Sequence, residues 1–571
     1  MAMPHDLPTD LTSELSTDVL IVGAGPVGLT LAMDLASRGV HVAIAETRAC
    51  GEPPNVKCNH VAARTMEQFR RLGVAQKVRD AGLPADYPND VVFRTSLTGI
   101  EFSRITIPCR RDRYSDTTGP DGWWPTPEPA HRINQIYLEP ILLAHTAALA
   151  GVTLLNRTQV TAFEQGDARV VATAMDLATG IQRRIRAQYL IGCDGARSEV
   201  RRQIGAKLEG TAIIQRVQST YIRAPQLMGR VQGKAAWSCY VMNPRRCGTV
   251  FSIDGQDNWL IHNHLSPDEP DFDSVDRDRS IRHILGVDDA FQYEVISRED
   301  WVGRRLVADK FRNRPGDGRV FLAGDSAHIW MPYAGYGMNA GIADALNLSW
   351  LLAARLQGWG GEQMLGAYEA ERQPITEQVS QFAMNHAQQM IKMKRAVPAG
   401  LEEPGAAGDA VRADFGQSAY ELNVQQFCAG GLNFGYFYTG SPIIAHEPEP
   451  APAYTMGGFT PSTVPGCRAP HFWLGDGRSL YDAFGPGYTL LRLNGLADAP
   501  TEVTALVDGA RARQMPLAVL DVQAANIPEA YTHQLVLCRA DQHVVWRGDA
   551  LPRELDQLLA KLCGDASIIP P

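Results

Sequence analysis

Near its N-terminus the chain runs Asp18-Val-Leu-Ile-Val-Gly23-Ala-Gly25-Pro26-Val-Gly28, a short apolar segment followed by three closely spaced glycines. Aliphatic, largely β-branched residues before the glycines predict a buried parallel strand. Gly23 permits a tight turn, Gly25 lets the backbone approach a pyrophosphate, and Gly28 lets the next helix pack closely on the strand. This stretch therefore predicts a strand, a phosphate-binding turn and a helix.

The residues after Gly28 complete a dinucleotide-binding unit. Residues 29–38 have helical character, Gly39 is expected to end that helix, and residues 40–45 form a second apolar strand. Glu46 ends this strand about 20 residues after the last glycine, where a carboxylate binds a ribose hydroxyl. The motif by itself fits FAD and NAD equally, and it also fits an ordinary strand–helix–strand unit with turn glycines.

A second motif, Cys193-Asp194-Gly195-Ala-Arg-Ser198, follows an apolar strand at residues 187–192. A strand that ends in Asp-Gly is a common turn, so alone this motif has an ordinary structural explanation. The third motif, Gly324-Asp325-Ser-Ala-His328, also follows an apolar strand, at residues 318–323. Ligands of open α/β sheets bind beyond the carboxyl ends of the strands, where Asp325 can accept hydrogen bonds from ribityl hydroxyls.

A glycine-rich loop, Pro332-Tyr-Ala-Gly335-Tyr-Gly337-Met338-Asn339, then opens a long helix predicted for residues 341–352. The N-terminus of a helix carries unpaired N–H groups and a partial positive charge. Such a helix end stabilises an anionic part of a ligand, including the negative charge of a reduced flavin.

Composition limits the classes of protein to which the chain can belong. Its 571 residues and 45% hydrophobic content predict two or three domains. The net charge is −9 and no basic run stands out, so we expect no nucleic-acid partner. The apolar run at 19–36 is interrupted by glycines and Asp34, which argues against a membrane span. Ten scattered cysteines without a Cys-x-x-Cys pair indicate reduced thiols, no metal site and a cytoplasmic location.

Together these motifs resemble the single-component flavoprotein aromatic hydroxylases, the group that includes phenol hydroxylase, 2,4-dichlorophenol hydroxylase and 3-(3-hydroxyphenyl)propionate hydroxylase. The resemblance covers nearly the whole chain. Further segments that carry it are Ala63-Arg64-Thr-Met-Glu67 with Leu72-Gly73, Gln135-Ile-Tyr-Leu-Glu139, and Tyr368-Glu-Ala-Glu-Arg-Gln-Pro374.

The resemblance implies FAD as the bound cofactor, with NADPH or NADH as a transient reductant. In the family FAD takes a hydride, reacts with dioxygen to give a C4a-hydroperoxide, and transfers the distal oxygen to a phenol. A base that deprotonates the phenol and a dry pocket both help this reaction. The implied cofactor contacts are Gly23, Gly25, Pro26, Gly28, Glu46, Arg48, Arg64, Gln135, Asp194, Gly324, Asp325, Pro332, Gly335, Gly337, Met338 and Asn339.

The chain departs from the family pattern at the expected base. Several relatives place Asp or His near the substrate hydroxyl, five residues before the position of Arg64, where this chain has Asn59 followed by His60. Asparagine cannot act as a base. Either His60 takes this role, or the phenol loses its proton to water or another residue, or the substrate is already acidic.

The resemblance implies an α/β fold: a Rossmann-like FAD-binding domain, an antiparallel substrate-binding sheet and a C-terminal thioredoxin-like domain. We expect a disordered leader at 1–15 and the FAD-binding domain within 16–395, as segments 16–105, 130–205 and 305–395. The sheet is placed at 206–304, a linker at 396–465 and the thioredoxin-like domain at 466–571. The missing Cys-x-x-Cys favours a structural or dimer-forming role for that last domain.

Candidate substrate contacts follow from the same resemblance. They are Asn59, Trp237, Tyr240, Met242, Phe251, Pro332 and Tyr333, with packing in the core as the alternative for the aromatic residues. The long irregular stretch at 108–125, with Trp123 and Trp124 among polar residues, suggests a lid over the substrate.

The favoured function is FAD-dependent hydroxylation of a phenolic compound by a dimeric enzyme. Hydroxylation of a larger polycyclic or polyketide-type aromatic is the alternative, since the same architecture serves both. A flavin halogenase is disfavoured because the chain lacks a Trp-x-Trp-x-Ile-Pro segment. A flavin-binding protein without turnover stays open because of Asn59.

Overall fold

The computed structural model describes residues 14–57, 59–122, 124–493, 500–523 and 527–565. Its strands are β1 (Glu14–Val22), β2 (Val42–Ala45), β3 (Val91–Arg94), β4 (Glu101–Ile105), β5 (Val152–Leu155), β6 (Thr158–Gln165), β7 (Val170–Asp176), β8 (Gln182–Gly192), β9 (Leu208–Arg223), β10 (Ser238–Val241), β11 (Gly248–Ser252), β12 (Asn258–His264), β13 (Glu294–Arg298), β14 (Trp301–Ala308), β15 (Val320–Leu322), β16 (His328–Trp330), β17 (Tyr488–Leu493), β18 (Leu517–Val522), β19 (Leu535–Arg539) and β20 (Val544–Gly548).

The α-helices of the same residues are α1 (Pro26–Ser37), α2 (Ala63–Arg71), α3 (Ala75–Arg79), α4 (Gln135–Ala147), α5 (Glu199–Gln203), α6 (Arg277–Leu285), α7 (Tyr336–Leu356), α8 (Met364–Arg395), α9 (Gly405–Phe427), α10 (Pro500–Ala512) and α11 (Leu555–Cys563). Most of the leader predicted for 1–15 lies outside the described residues, but Glu14 and Leu15 already belong to β1. Within the described ranges, no helix is both long and apolar enough to cross a membrane.

The first sheet has the strand order β5-β2-β1-β8-β7-β6, and β15 also pairs with β8. The strands β5, β2, β1, β8 and β15 run parallel, and β1 and β2 contribute buried apolar runs at residues 19–22 and 42–45. The register places Val22 beside both Ala45 and Gly192, and Gly192 beside Leu322. The three sequence motifs therefore begin at one edge of one sheet.

The second sheet has nine strands in the order β16-β14-β9-β12-β11-β10-β3-β4, with β13 also paired to β9. All its described pairings are antiparallel except that of β10 with β3. The antiparallel sheet expected for 206–304 is present. The sheet also includes β3 and β4 from the segment 16–105. The alternating side chains of these two strands extend both faces of the sheet.

Alternation along the strands of the second sheet creates two different layers. Val241 on β10 and Val92 on β3 pack with Ile284 of α6 on one face. Tyr240 and Phe93, one residue away on the same strands, pack on the other face with residues of α8 and α9. A side-chain period of two produces this division.

The segment 396–465 contains a long helix, unlike the linker that we expected. Helix α9 spans 23 residues and packs on β4, with Phe415 and Ala419 in the core cluster of the second sheet. Prolines and glycines are concentrated on either side of this helix, whereas its own turns contain many alanines, the strongest helix former. The high proline and glycine content of the whole segment therefore led us to expect a linker in place of this helix.

The C-terminal unit is built on a four-stranded sheet with the order β18-β17-β19-β20. Strands β17 and β18 are parallel and α10 lies between them in the sequence, whereas β19 and β20 continue the sheet in antiparallel fashion. Helix α11 packs against α10. A second core cluster, with Leu491 and Val536 at its centre, lies on the opposite side of this sheet from Leu490 and Leu537.

Candidate active site

The glycines of the first motif are required by close backbone contacts. A Cβ atom at Gly23 would lie 2.4 Å from the carbonyl oxygen of Cys193, and its φ is +105°. A Cβ atom at Gly28 would lie 2.1 Å from the carbonyl oxygen of Gly23. At Gly25 no atom lies within 4 Å of the Cβ position, and Pro26 begins α1 directly after it. The turn is thus closed at its two outer glycines and open at the middle one, where a ligand can approach the backbone.

The third motif packs against the first. Gly324 has a φ of +64°, and a Cβ atom there would lie 2.9 Å from Cγ2 of Val27. Gly341 of α7 approaches so closely that its Cβ atom would lie 2.8 Å from the Cα of Gly324. These contacts bring the start of α7 beside the turn before α1, so two helix N-termini lie at one edge of the sheet.

Two aspartates at this edge present acceptors for a ligand. Oδ2 of Asp194 accepts from the N–H groups of Glu199 (2.8 Å) and Val200 (3.1 Å), whereas its buried Oδ1 has no partner among the described residues. Asp325 is exposed at the sheet edge, yet desolvation by the surrounding protein raises the pKa of its carboxyl group, against the influence of His328. The exposed carboxyl group of Asp325 is therefore accessible to a ligand at this edge.

The carboxylate after β2 is held in a charged network. Oε2 of Glu46 accepts from the N–H of Ala24 at 2.8 Å, and Arg48 bonds both Glu46 and Glu139. Gln135 donates to the other oxygen of Glu139 at 2.9 Å. Desolvation opposes ionisation of Glu46, but hydrogen bonds from Arg48 dominate and lower its pKa. Glu46 therefore stays ionised beside the glycine turn, as a ribose hydroxyl requires.

The glycine-rich loop forms a 3-10 turn at Tyr333–Gly335, and α7 begins at Tyr336, five residues earlier than the sequence indicated. Gly335 has a φ of +62° and no atom lies within 4 Å of the Cβ position of Gly337. Met338 is half-buried and packs on the first core. The first N–H groups of the helix thus lie next to open space at Gly337.

Asn339 uses all four of its side-chain hydrogen-bonding positions on protein. Oδ1 accepts from the N–H of Ala62 and from Oγ1 of Thr65, both at 2.8 Å. Nδ2 donates to the carbonyl oxygens of Gly335 (2.7 Å) and His60 (3.1 Å). The Asn339 side chain therefore fixes the loop, and any contact with a cofactor at this residue falls to its backbone.

Arg64 is bonded to the C-terminal unit. Its guanidinium donates to Oε1 of Gln542 and to the carbonyl oxygen of Asp541, and lies over the ring of Tyr436 at 5.7 Å. Arg64 also lines a cavity with Asn339, at the start of α7. A contact between Arg64 and the cofactor stays a prediction.

Asn59 and His60 are close to the glycine-rich loop, but both are engaged. Nδ1 of His60 lies 2.6 Å from Nη1 of Arg132. Arginine only donates, so Nδ1 is the acceptor. Burial and the nearby Arg132 place the pKa of His60 well below its usual range. Oδ1 of Asn59 accepts from Nδ2 of Asn134, the N-cap of α4. The lone pair that a base would use at Nδ1 is thus already taken.

A row of aromatic side chains crosses the second sheet. Ring centroids are separated by 5.5 Å between Trp237 and Phe251, 5.4 Å between Phe251 and His262, and 5.7 Å between His262 and Trp301. Arg132 stacks over the ring of Trp237 at 4.3 Å. We call Trp237, Phe251, His262 and Trp301 the aromatic row.

The aromatic row meets the glycine-rich loop at Met331 and Tyr333. Met331 packs so tightly on Gly303 that a side chain there would overlap its sulfur, and Gly303 lies two residues from Trp301 on β14. Tyr333 is buried, and the centroid of its ring lies 5.1 Å from that of His386. Pro332, which lies between Met331 and Tyr333 in the sequence, is exposed. The loop and the aromatic row therefore form two adjoining walls of the candidate substrate site.

Of the other expected substrate contacts, Tyr240 and Met242 lie in the core. Tyr240 packs on Phe93 at 5.4 Å and on Phe427 at 6.0 Å, and Met242 is fully buried. Sequence analysis missed His262, Trp301 and Arg132. The alternation of their segments indicated strands, but only the cross-strand register shows which residues share a face.

The stretch at 108–125 is anchored to its surroundings. Arg113 and Asp121 form a buried ion pair of 2.6 Å, and Nε1 of Trp124 donates to Asp121 at 2.6 Å. Trp124 also packs on Phe434, with ring centroids 6.1 Å apart. Trp123 lies outside the described residues. These contacts fix the stretch to its surroundings, and its role as a lid over the substrate stays a prediction.

The residues at the sheet edge fit a flavin dinucleotide. Two helix N-termini with open backbone at Gly25 and Gly337 suit anionic groups. The unpartnered Oδ1 of Asp194 and the exposed carboxylate of Asp325 suit hydroxyl donors of a ribityl chain. Elsewhere, the described residues contain no group of three or more His, Cys, Asp or Glu side chains that could hold a metal ion.

Comparison with known proteins agrees with this site. An FAD binding domain family matches residues 16–383, and the family of aromatic-ring hydroxylase C-terminal domains matches residues 462–566. The chain is 30% identical to the FAD-dependent monooxygenase opdD of Penicillium oxalicum, over 88% of this chain and 99% of that protein. It is 29% identical to tetracenomycin A2 monooxygenase-dioxygenase of Streptomyces glaucescens, over 96% and 97%.

Among solved structures, the rebeccamycin biosynthetic enzyme RebC with reduced flavin is similar over the whole fold. The TM-score is 0.86 and the identity 34%, with 97% of this chain and 100% of that chain covered. The family match spans well over half of the present chain and includes all three motifs at the sheet edge. The chain therefore belongs to the FAD-binding aromatic-ring hydroxylases, and it is an oxidoreductase of the FAD-dependent monooxygenase class.

Proposed function

We propose that this enzyme hydroxylates a polycyclic aromatic compound of the polyketide type, with NADPH or NADH as reductant and dioxygen as the oxygen source. The observation that carries the proposal is the aromatic row, which extends from Trp237 across four strands to Trp301 beside the glycine-rich loop. A one-ring phenol contacts only part of such a surface. Fused rings contact it along its length and gain more from stacking and from apolar burial.

The chain's own residues would hold FAD at the edge of the first sheet. The turn at Gly23–Gly28 would take the pyrophosphate, Glu46 the adenosine ribose, and Asp325 the ribityl chain. The start of α7 at Gly335–Gly337 would face the flavin ring. Bound FAD supplies the redox chemistry, by accepting a hydride and activating dioxygen.

Protein groups then orient the substrate and keep water away from it. The aromatic row and the half-buried Met393 provide an apolar wall, while the anchored stretch around Arg113 and Asp121 closes another side. Asn59 and His60 are both bonded to protein, so we do not assign either as the base. A substrate hydroxyl in this pocket would lose its proton to water, or would be acidic enough without help.

We also propose that the C-terminal unit is thioredoxin-like and has a structural role. Its strand order and its parallel β17–β18 pair joined through α10 support this likeness. Cys538 is fully buried, and desolvation raises its pKa, which disfavours thiol chemistry. A dimeric state stays a prediction of the family resemblance, and a cytoplasmic location stays a prediction from the cysteine content.

Rapid mixing of the flavin-loaded protein with NADPH or NADH under anaerobic conditions tests the proposal. The panel pairs phenol and 2-naphthol with 1-hydroxyanthraquinone. We expect a multi-ring compound to accelerate flavin reduction, and aeration then to yield its hydroxylated product. Acceleration by phenol alone would favour the one-ring alternative. Flavin reduction that no aromatic changes would favour a flavin-binding protein without turnover.

A further inference from the structure

A lysine without a carboxylate partner lies beside the aromatic row. Lys394 is in the last turn of α8, and its Nζ donates to Nδ1 of His264 on β12. No Asp or Glu oxygen of the described residues lies within 4.0 Å of this Nζ. Glu269 and Glu402 form ion pairs with Arg246 and Arg245, respectively.

The surroundings of Lys394 make its charge costly. Burial lowers the pKa of Lys394 to about 8, with the Cys247 thiol opposing the shift. Burial and the charge of Lys394 also place the pKa of His264 well below its usual range, so His264 is neutral and accepts from the ammonium. A desolvated ammonium with only a neutral partner is unfavourable unless a further group compensates it.

Lys394 nevertheless keeps accessible surface. Its side chain, like those of His262 and His264, is half-buried although protein desolvates it strongly. Because these side chains retain accessible surface, a ligand can approach them.

Lys394 adjoins the aromatic row through its hydrogen-bond partner. His264 lies two residues from His262 on β12, so the two histidines share one face of the second sheet. The ring of His262 makes edge-to-face contacts with the rings of Phe251 and Trp301. The glycine-rich loop meets this wall at Met331, against Gly303, on the same strand as Trp301. Trp301 thus has the loop on one side and the ring of His262 on the other.

We propose that Lys394, oriented by His264, binds a carboxylate group of the substrate and so fixes which end of the polycyclic ring system faces the glycine-rich loop. Of the three N–H groups of Lys394, one is directed at His264, which leaves two for a carboxylate. The ion pair supplies the missing countercharge of Lys394, and the fused rings lie along the aromatic row. The inference deepens the proposed function and rests on it, since it requires a multi-ring substrate.

Equilibrium dialysis of the flavin-loaded enzyme with anthraquinone-2-carboxylate and anthraquinone-2-carboxamide tests this inference without turnover. We expect the wild type to bind the carboxylate at least ten-fold more tightly than the carboxamide. Lys394→Met should bring that ratio close to one, by weakening carboxylate binding far more than carboxamide binding, while Lys394→Arg should retain part of the preference. Lys392→Met is the matched control, because Lys392 is exposed on the same turn of α8.

Each outcome decides between the two proposals. Equal binding of the two compounds by the wild type would overturn the role of Lys394, and this comparison needs no variant to fold. An unchanged ratio in Lys394→Met would also overturn it and leave the polycyclic substrate in place. If neither anthraquinone binds while phenol does, the polycyclic function itself fails, and the inference with it.

Discussion

Arg539 of the C-terminal unit and Glu371 of α8 form a bidentate ion pair whose side chains are both completely buried. The two hydrogen bonds measure 2.6 and 2.9 Å, and Asp541 binds the same guanidinium. The next residue after Glu371, Arg372, bonds Asp344, whose Oδ2 accepts from the N–H of Gly324 at 3.2 Å. One turn of α8 thus connects the C-terminal unit to the third cofactor-binding motif.

Arg539→Met should destabilise the whole enzyme. The substitution leaves the carboxylates of Glu371 and Asp541 buried without their cation, and breaking such a buried pair costs about 3–5 kcal/mol. Urea unfolding followed by tryptophan fluorescence measures the change. Arg478→Met, at a largely exposed ion pair with Asp476, should have almost no effect. A loss of less than about 1 kcal/mol in Arg539→Met would mean that the pair is not important for stability.

Gly28→Val should weaken the binding of FAD strongly, even where the variant protein still folds. The added side chain would meet the carbonyl oxygen of Gly23 at 2.1 Å, so the turn that faces the pyrophosphate must open. Flavin content after gel filtration measures the effect, and we expect at least a ten-fold weaker complex, about 1.4 kcal/mol. Gly229→Ala is the control, since nothing lies within 4 Å of its Cβ position. Normal flavin content in Gly28→Val would remove the first motif from the site.

Asp325→Ala tests whether the third motif binds the ribityl chain. Hydrogen bonds to a charged group contribute about 1.5–3 kcal/mol, so we expect FAD to bind about 10- to 100-fold more weakly. Titration of the apoprotein with FAD, followed by quenching of flavin fluorescence, gives the affinity. Asp317→Ala is the matched control because Asp317 is exposed and pairs with Arg314 before the same strand. Equal affinities in both variants would show that Asp325 does not contact the cofactor.

The three cofactor-binding motifs could be recognised in the sequence because each of them is local. A strand, a glycine turn and an acid can be recognised from neighbouring residues, and the parallel register then brings Val22, Ala45 and Gly192 together. The aromatic row could not be found in this way. Whether Phe251 stacks on His262 depends on the pairing of Thr249 with His262, and no local pattern specifies that register.

Side-chain pairing between distant segments was equally inaccessible from the sequence. Arg64 matched a family segment beside Asn59 and was expected at the cofactor, yet it bonds Gln542, 478 positions further along the chain. Arg132 carried no motif, although it bonds His60 and covers Trp237. Such contacts arise when separate elements pack together, and propensity or spacing does not encode them.

Acidification should destabilise the enzyme through its buried neutral histidines. Burial lowers the pKa of His131 to about 3, and its Nε2 lies 3.1 Å from the carbonyl oxygen of Ala81. Between its unfolded pKa of about 6.5 and the folded value, only the unfolded state takes up the proton, so stability falls as pH falls. Each such histidine contributes about 1.4 kcal/mol per pH unit in that window.

Urea unfolding of His131→Gln between pH 7 and pH 5 checks this sign and slope. The substitution retains a donor for the carbonyl oxygen of Ala81 and removes the titratable imidazole. The free energy of unfolding should therefore depend less steeply on pH, by the equivalent of one proton. A wild type whose stability rises towards pH 5 would contradict the assignment of His131 as neutral.

Trp301→Ala should weaken binding of multi-ring substrates without affecting the flavin. Trp301 is half-buried at the end of the aromatic row, and its removal takes away both stacking, worth about 0.5–1.5 kcal/mol, and apolar contact area. We expect KM for a hydroxyanthraquinone to rise about ten-fold with kcat nearly constant, because the lost contact acts equally on bound substrate and transition state. KM for phenol should change little, since a single ring reaches only part of the row.

Trp473→Ala, at an exposed tryptophan of the C-terminal unit, is the control. A fall in kcat with unchanged KM would instead place Trp301 against the reacting atoms, and equal losses for phenol and hydroxyanthraquinone would remove the aromatic row as the basis for preferring a polycyclic substrate.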